Sequence, residues 1–361
     1  MITWTEAGEE YSAAWRSALE APPPARVVIA DDRMKADTAY RLAREGTALL
    51  WRGDFQNARQ LLQAMGRRCE PAEPGATFDR YRQAQGRRAR TLGLLLIPYD
   101  EGHVIPLTRA PDVRQACEEV YGPAEGPYVG SLRELLGLIG AHEWRKKGVE
   151  VPALGARIHP HYGVFSPIRG EYIDLVAQAP LPGKRLAFDL GTGTGVLAAV
   201  LARRGVERVV ATDLDRRAVV CARDNMARLG LADRVDVVAA DLFPPGRASL
   251  VVCNPPWLPA EPSSPLDRAV YDPGGCMLRG FLDGLAEHLE PGGEGWLVLS
   301  DLAEHLGLRS RADLMAAFDG AGVRVMDRLD TRPRHRRASD GTDPLRAARA
   351  AEVTSLWRLA C

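Results

Sequence analysis

Residues 186–195 read LAFDLGTGTG. The apolar run at 186–189 has the character of a buried strand, and Gly191, Gly193 and Gly195 let the backbone reach positive φ and let a ligand approach closely. A strand that passes through such a turn into the helical stretch 195–204 opens a βαβ unit. In open α/β sheets ligands bind at the carboxyl ends of the strands, so a nucleotide-like ligand is expected here. The turn does not complete a dinucleotide fingerprint. After Gly191 and Gly193 the position that calls for a third small residue is Val196, which weakens an NAD reading.

Three further strand ends extend the pattern. The run 208–212 ends in Asp213, 24 residues after Asp189, close to the spacing at which a carboxylate accepts hydrogen bonds from a ribose diol. The run 234–239 delivers Asp241, and 249–253 leads into Asn254, Pro255, Pro256 and Trp257. Asp215 is read instead as the cap of a helix over 216–229.

In this order, DLGTGTG (189–195), ATDLD (211–215), AADLF (239–243) and NPPW (254–257) resemble the class I S-adenosylmethionine-dependent methyltransferases. The likeness is to the branch marked by (N/D/S)PP(Y/F/W), which methylates amino and amide nitrogens. Within it the chain most resembles the glutamine methyltransferases of peptide release factors and the small-domain ribosomal RNA guanine methyltransferases. The resemblance covers about residues 160–330. Upstream, SPIRGEYIDLV (166–176) is similar to the PRPETE-x-LV segment of the release-factor enzymes, departing from it at Ile168, Gly170, Tyr172 and Ile173.

The resemblance implies a Rossmann-like, doubly wound, seven-stranded α/β sheet ending in an antiparallel pair, placed at 322–329 and 352–359. It implies S-adenosylmethionine as cofactor and S-adenosylhomocysteine as product. Asp189, Gly191, Thr192, Gly193, Gly195, Asp213, Leu214, Asp241, Leu242, Asn254 and Arg169 are the expected cofactor residues. Asn254, Pro255 and Trp257 are the expected catalytic group, and Pro256, Trp257, Tyr162, Phe165 and Tyr271 the expected substrate contacts.

The residues support the same chemistry. An amide or exocyclic nitrogen is a poor nucleophile because its lone pair is delocalised. The Asn254 side-chain oxygen and the Pro255 carbonyl are acceptors able to bond its two N–H hydrogens and favour a tetrahedral nitrogen. The prolines fix φ and offer no competing N–H, so these acceptors are held in place beforehand. Trp257 offers a face for a planar substrate or a cation–π surface near a sulfonium.

The 361 residues suggest two domains, and 46% hydrophobic with 26% charged residues is ordinary for a globular chain. Forty-seven Lys and Arg balance 47 Asp and Glu, so any case for nucleic acid rests on local patches. The two candidates are Arg80, Arg82, Arg87, Arg88 and Arg90, and the group Arg332, Arg334, Arg336 and Arg337 around His335. Six cysteines show no CxxC spacing, and His159 with His161 lacks further ligands, so no metal is expected. The segment MITWTEAGEEY is acidic where a signal peptide is basic and then apolar, which makes a cytoplasmic protein without a membrane partner the expectation.

Proline-rich breaks at 21–25, 71–76, 122–127 and 179–184 punctuate the chain. Helical periodicity covers 37–50, 55–65 and 132–147, 92–100 reads as a buried strand, and 149–160 as a connector. Residues 1–155 are therefore expected to form a smaller α+β domain that selects the substrate or is accessory, and 156–361 the catalytic domain. The stretch 258–276, containing Tyr271, is read as a substrate-contacting lid, and 158–169 as a cover with Tyr162, Phe165 and Arg169 facing inward. Three functions stay open: nitrogen methylation of a protein, RNA or small molecule; oxygen or carbon methylation of a small molecule; and a non-catalytic, cofactor-binding interaction module. The oligomeric state is left open.

Overall fold

In the computed structural model, which describes residues 1–73, 75–168, 170–262, 267, 269–333 and 343–361, the chain divides between Glu143 and Trp144 into two units. The first unit contains, in order, β1 (Ile2–Glu6), β2 (Glu9–Trp15), β3 (Arg26–Ala30), α1 (Ala36–Arg44), β4 (Thr47–Trp51), α2 (Phe55–Arg68), α3 (Phe78–Gly93), β5 (Leu95–Tyr99), α4 (Arg114–Tyr121), β6 (Tyr128–Ser131) and the start of α5 (Leu132–Lys147). Its sheet has the order β1-β2-β6-β5-β4-β3, with β3, β4 and β5 parallel. Every residue of β4 and β5 is buried, as expected of parallel strands covered on both faces.

The helix expected over 37–50 stops at Arg44. Gly46 takes φ +83° and turns the chain into β4, TALLW. After Thr47 that run is apolar without interruption, so it extends the helical pattern by composition, and only pairing between β3 and β5 makes it a strand. The arginine-rich stretch at 80–90 forms α3, whose Thr77 hydroxyl accepts the Arg80 N–H at 3.5 Å.

The second unit contains β7 (Val149–Val151), β8 (Ala156–Ile158), α6 (Glu171–Gln178), β9 (Leu186–Leu190), α7 (Val196–Arg203), β10 (Arg208–Asp213), α8 (Arg216–Leu229), β11 (Val235–Ala239), β12 (Ala248–Cys253), α9 (Cys276–His288), β13 (Leu289–Ser300), α10 (Leu302–His305), α11 (Arg311–Gly320), β14 (Arg324–Thr331), α12 (Arg346–Ala351) and β15 (Thr354–Ala360). The expected connector at 149–160 is a small antiparallel hairpin, β7 with β8, and Val151, Leu154 and Ile158 sink into the core beside α7. Apolar side chains on a short chain segment next to an existing core fold onto it rather than span it.

The large sheet runs β11-β10-β9-β12-β13-β15-β14, the expected doubly wound α/β arrangement. β15 alone runs against the direction of the other six strands. The order reverses between β9 and β12: the connection out of β9 leads to β10 on one side, and the connection out of β12 leads to β13 on the other. That is the topological switch point at which such sheets bind ligands. Register sharpens the placement. Leu190 of β9 stands opposite Thr212 of β10 and Cys253 of β12. The next residues along each strand are Gly191, Asp213 and Asn254, so all three share one sheet edge. Among the described residues no helix is long and apolar enough to cross a membrane.

Candidate active site

The glycine turn is held from beneath. Asp189 is 1% exposed, and its Oδ2 accepts the Thr192 hydroxyl at 2.6 Å and the Ala198 N–H at 3.0 Å. Burial pushes its carboxyl up to about 6, against the lowering effect of those two donors. The sequence reading made Asp189 a cofactor ligand. In the structure its two donors come from the turn and from α7, so Asp189 fixes the turn that a ligand would meet. The Thr192 N–H bonds the Thr212 carbonyl at 2.8 Å, tying the turn to β10.

Glycine is required at both ends of this turn. A Cβ on Gly191 (φ +66°) would lie 2.3 Å from Met277 Cε, and one on Gly195 (φ +81°) would lie 2.8 Å from Met226 Cε. At Gly193 a Cβ would meet nothing within 4 Å, so the turn is open on that side. Asp213 is tied to the turn: its Oδ2 accepts the Gly193 N–H at 2.9 Å while Oδ1 accepts the Asp215 N–H at 2.9 Å. Burial raises the Asp213 carboxyl, opposed by these N–H groups. A carboxylate has about four acceptor sites, so acceptor capacity remains for a diol. Asp215 caps α8 through the Arg217 N–H at 2.9 Å, as its spacing implied. Leu214 is 74% exposed at the rim, and Asp241 is also exposed. Leu242 takes φ +59°, its carbonyl accepts the Thr212 hydroxyl, and its side chain packs over Gly280. An open glycine turn, a carboxylate with spare acceptor sites and an exposed apolar rim fit a nucleoside-bearing cofactor.

At the end of β12, Asn254 and Trp257 are joined. The indole Nε1–H donates to Asn254 Oδ1 at 2.9 Å, and the ring packs partly buried against the cores on both faces of the sheet. Pro255 is buried; Asn254 and Pro256 are half-buried. Trp257 is thus both a packed side chain and the group that orients the amide. Residues 270–272 lie back against this motif. Leu258 bridges Tyr271, the Asp272 N–H bonds the Leu258 carbonyl at 2.9 Å, and the Asp272 carboxylate accepts the Met277 and Leu278 N–H groups at the start of α9. Tyr271 is half-buried there.

Asn225 of α8 was not anticipated. It is fully buried, accepts the His159 N–H at 2.8 Å and donates to the Thr194 carbonyl in the glycine turn at 3.0 Å. No local pattern could have singled it out, because its partners lie 66 and 31 residues away. His159 Nδ1 lies 2.6 Å from the Arg145 carbonyl oxygen, and His161 Nε2 lies 3.1 Å from Asp224 Oδ2, so both imidazoles pin the 158–161 segment. Among the described residues no group of three or more His, Cys, Asp or Glu could hold a metal. Phe165, expected to face inward, is 36% exposed, because a tight turn at 162–164 carries it outward; Tyr162 is half-buried. Arg169, Arg334, His335, Arg336 and Arg337 lie outside the described residues.

The strand order, the glycine turn and the acid at the end of β10 define a class I S-adenosylmethionine-dependent methyltransferase fold. Residues 156–321 match the model of the methyltransferase small domain family. The chain is 36% identical over 161 residues to the release factor glutamine methyltransferase of Cereibacter sphaeroides, covering 41% of this chain and 56% of that protein. It is 31% identical over 181 residues to the ribosomal protein L11 methyltransferase of Sorangium cellulosum, covering 50% and 48%. The chain thus spans about half the length of the curated relatives it matches. A solved S-adenosylmethionine-dependent methyltransferase from Geobacter sulfurreducens, in complex with S-adenosyl-L-homocysteine, aligns at 18% identity and a TM-score of 0.36, covering 58% of this chain and 98% of that one.

Proposed function

We propose that the chain is an S-adenosylmethionine-dependent methyltransferase whose acceptor is an amide or exocyclic amino nitrogen. The observation that carries this reading is the placement of Asn254 Oδ1, held by the Trp257 N–H at 2.9 Å on the same sheet edge as Gly191 and Asp213. The cofactor, when bound, supplies an electrophilic methyl group. Asp213 would accept the hydroxyls of its ribose, and the Gly193 side of the turn would lie against its chain. Asp189 and Asn225 would hold that turn in place.

Asn254 Oδ1 has two lone pairs, and the indole takes one. The other, with the Pro255 carbonyl, accepts the two hydrogens of an NH2 group, so the nitrogen lone pair is freed along the remaining direction. Neither group needs to be a strong base: the methyl–sulfur bond breaks as the nitrogen–methyl bond forms, the sulfur leaves as the neutral thioether, and the acidic N-methylated cation then gives up one N–H proton to water. A hydroxyl or carbon acceptor lacks the second hydrogen that this pair of acceptors fits. A glutamine amide presents such an NH2, and the release-factor relative is named for glutamine methylation. A protein amide is therefore the first acceptor to test.

The test is transfer of labelled methyl from S-adenosylmethionine to fractionated protein, RNA and small molecules. With the acceptor in hand, Asn254→Ala should lower kcat by about 100-fold and leave cofactor affinity nearly unchanged. Trp257→Phe, which keeps the ring and deletes the N–H, should cost about tenfold in kcat. Normal turnover by Asn254→Ala would end the nitrogen assignment.

A further inference from the structure

We infer that helices α2 and α3 of the amino-terminal unit form a docking face for the phosphate backbone of a nucleic acid. The two helices together carry eight arginines and one acid, Asp79, in a chain whose 47 cations and 47 anions balance overall. The charge is arranged in stripes. On α3, Arg80, Gln83, Arg87 and Arg90 recur at i, i+3, i+7 and i+10, and all four are exposed. On α2, Arg59, Gln63 and Arg67 recur at i, i+4 and i+8, and these too are exposed. Such spacings place each set on one face of its helix. No carboxylate falls in either set.

The remaining arginines show what an arginine does here when it has a structural task. Arg68 pairs with Asp37, and the Arg88 guanidinium donates to the Gly66 carbonyl, which ties α3 to α2. Arg67, Arg80, Arg87 and Arg90 have no ion-pair partner among the described residues. Every cation in both helices is arginine, whose planar fork suits phosphate oxygens. From Arg80 to Arg90 the helix rises about 15 Å. At roughly 3.4 Å of axis per phosphate on one strand, that length spans about four phosphates. The flanking glutamines add neutral donors to sugar and phosphate oxygens.

An anionic membrane fits this face less well. Surface-bound helices insert an exposed apolar side, whereas Phe55, Ala58, Leu61, Leu62 and Met65 of α2 and Phe78, Ala84 and Leu92 of α3 are buried. What the face presents is charge and amide groups, which recognise a backbone and not a base sequence.

The experiment uses the full chain and a fluorescein-labelled single-stranded RNA of about 20 nucleotides and mixed sequence, followed by anisotropy between about 50 and 200 mM salt. The triple variant Arg80→Glu, Arg87→Glu, Arg90→Glu should bind at least about tenfold more weakly at the lowest salt. The wild-type slope of log affinity against log salt should exceed the variant's by about 2, from three lost contacts at roughly 0.7 each. The corresponding triple Arg→Lys variant should retain binding and slope, and a DNA strand of equal length should bind within a few-fold of RNA. Arg87→Ala alone should lower the slope by about 0.7, a readout that stands even if the triple variant folds poorly. Calorimetry with S-adenosylmethionine on the same variants reads the methyltransferase assignment separately, and that affinity should not move. Wild-type protein that leaves RNA unbound at about 50 mM salt, or a triple variant that binds as tightly, would overturn the inference. So would stronger competition by polyglutamate or by phosphatidylserine vesicles than by unlabelled RNA.

Discussion

Replacing Asn225 with alanine tests whether the glycine turn depends on a tether from α8. The side chain is fully buried, and it satisfies the His159 N–H at 2.8 Å and the Thr194 carbonyl at 3.0 Å. Each neutral hydrogen bond contributes about 1 kcal/mol net, and a buried group left unpaired costs about 1 to 3 kcal/mol. Thr194 is 2% exposed, so water does not readily replace the lost partner. The expected loss of stability is about 2 to 4 kcal/mol, a large share of a typical domain's roughly 5 to 15. Cofactor affinity should fall as well, because binding must then order one or two turn residues at about 1 to 2 kcal/mol each. Urea denaturation gives the stability change, amide exchange over residues 186–203 assigns it to the turn, and calorimetry with S-adenosylmethionine gives the affinity. Asn225→Asp sharpens the test. At neutral pH its carboxylate still accepts from His159 but faces the Thr194 carbonyl without a donor, so it should be at least as unstable as alanine. Protonation on acidification restores a donor and should recover part of the loss. A stability change below about 0.5 kcal/mol for alanine, or an aspartate variant as stable as wild type at neutral pH, would refute the reasoning.

Three further predictions follow from the same geometry. Asp213→Ala should weaken S-adenosylmethionine binding by about tenfold or more, since charge-assisted bonds contribute roughly 1.5 to 3 kcal/mol each, and unchanged calorimetric affinity would remove the ribose assignment. Asp189 titrates at about 6 in the fold against 3.8 as an ordinary aspartate, so its protonated form is the one that folding favours. Its contribution is fully present below about pH 4 and is lost as pH rises through 6; the stability of wild type relative to Asp189→Asn should therefore fall by up to about 3 kcal/mol across that window, whereas parallel urea midpoints from pH 4.5 to 7.5 would exclude it. A chain beginning at Trp144 should fold and bind cofactor, while one beginning at residue 156 should melt at lower temperature, because it lacks Val151 and Leu154 of the core; equal melting temperatures would show that the hairpin is dispensable.

Much of the catalytic unit was legible in the sequence because its signals are local. A strand buried on both faces must be apolar throughout, a turn at positive φ must be glycine, and a helix start needs an acceptor such as Asp215. The limits of α8, the glycine turn and the four strand ends follow from such rules. The same rules misread 37–50, where a buried strand continued the apolar pattern of a helix past Gly46, and 149–160, where a hairpin stood for a connector. The sequence could also name Asp189, Asp213 and Asn254 as acids and amides at strand ends, since strand ends are visible one at a time. It could not say that Asp189 is fully buried beneath the turn while Asp213 is only partly buried and bonds the Gly193 N–H, because burial depends on which strands lie beside each one. Nor could it find Asn225, or the indole that orients Asn254, or the fact that Gly191, Asp213 and Asn254 share one edge. Those relations exist only once the sheet is paired, since hydrogen bonds act over about 3 Å of space whatever the separation along the chain.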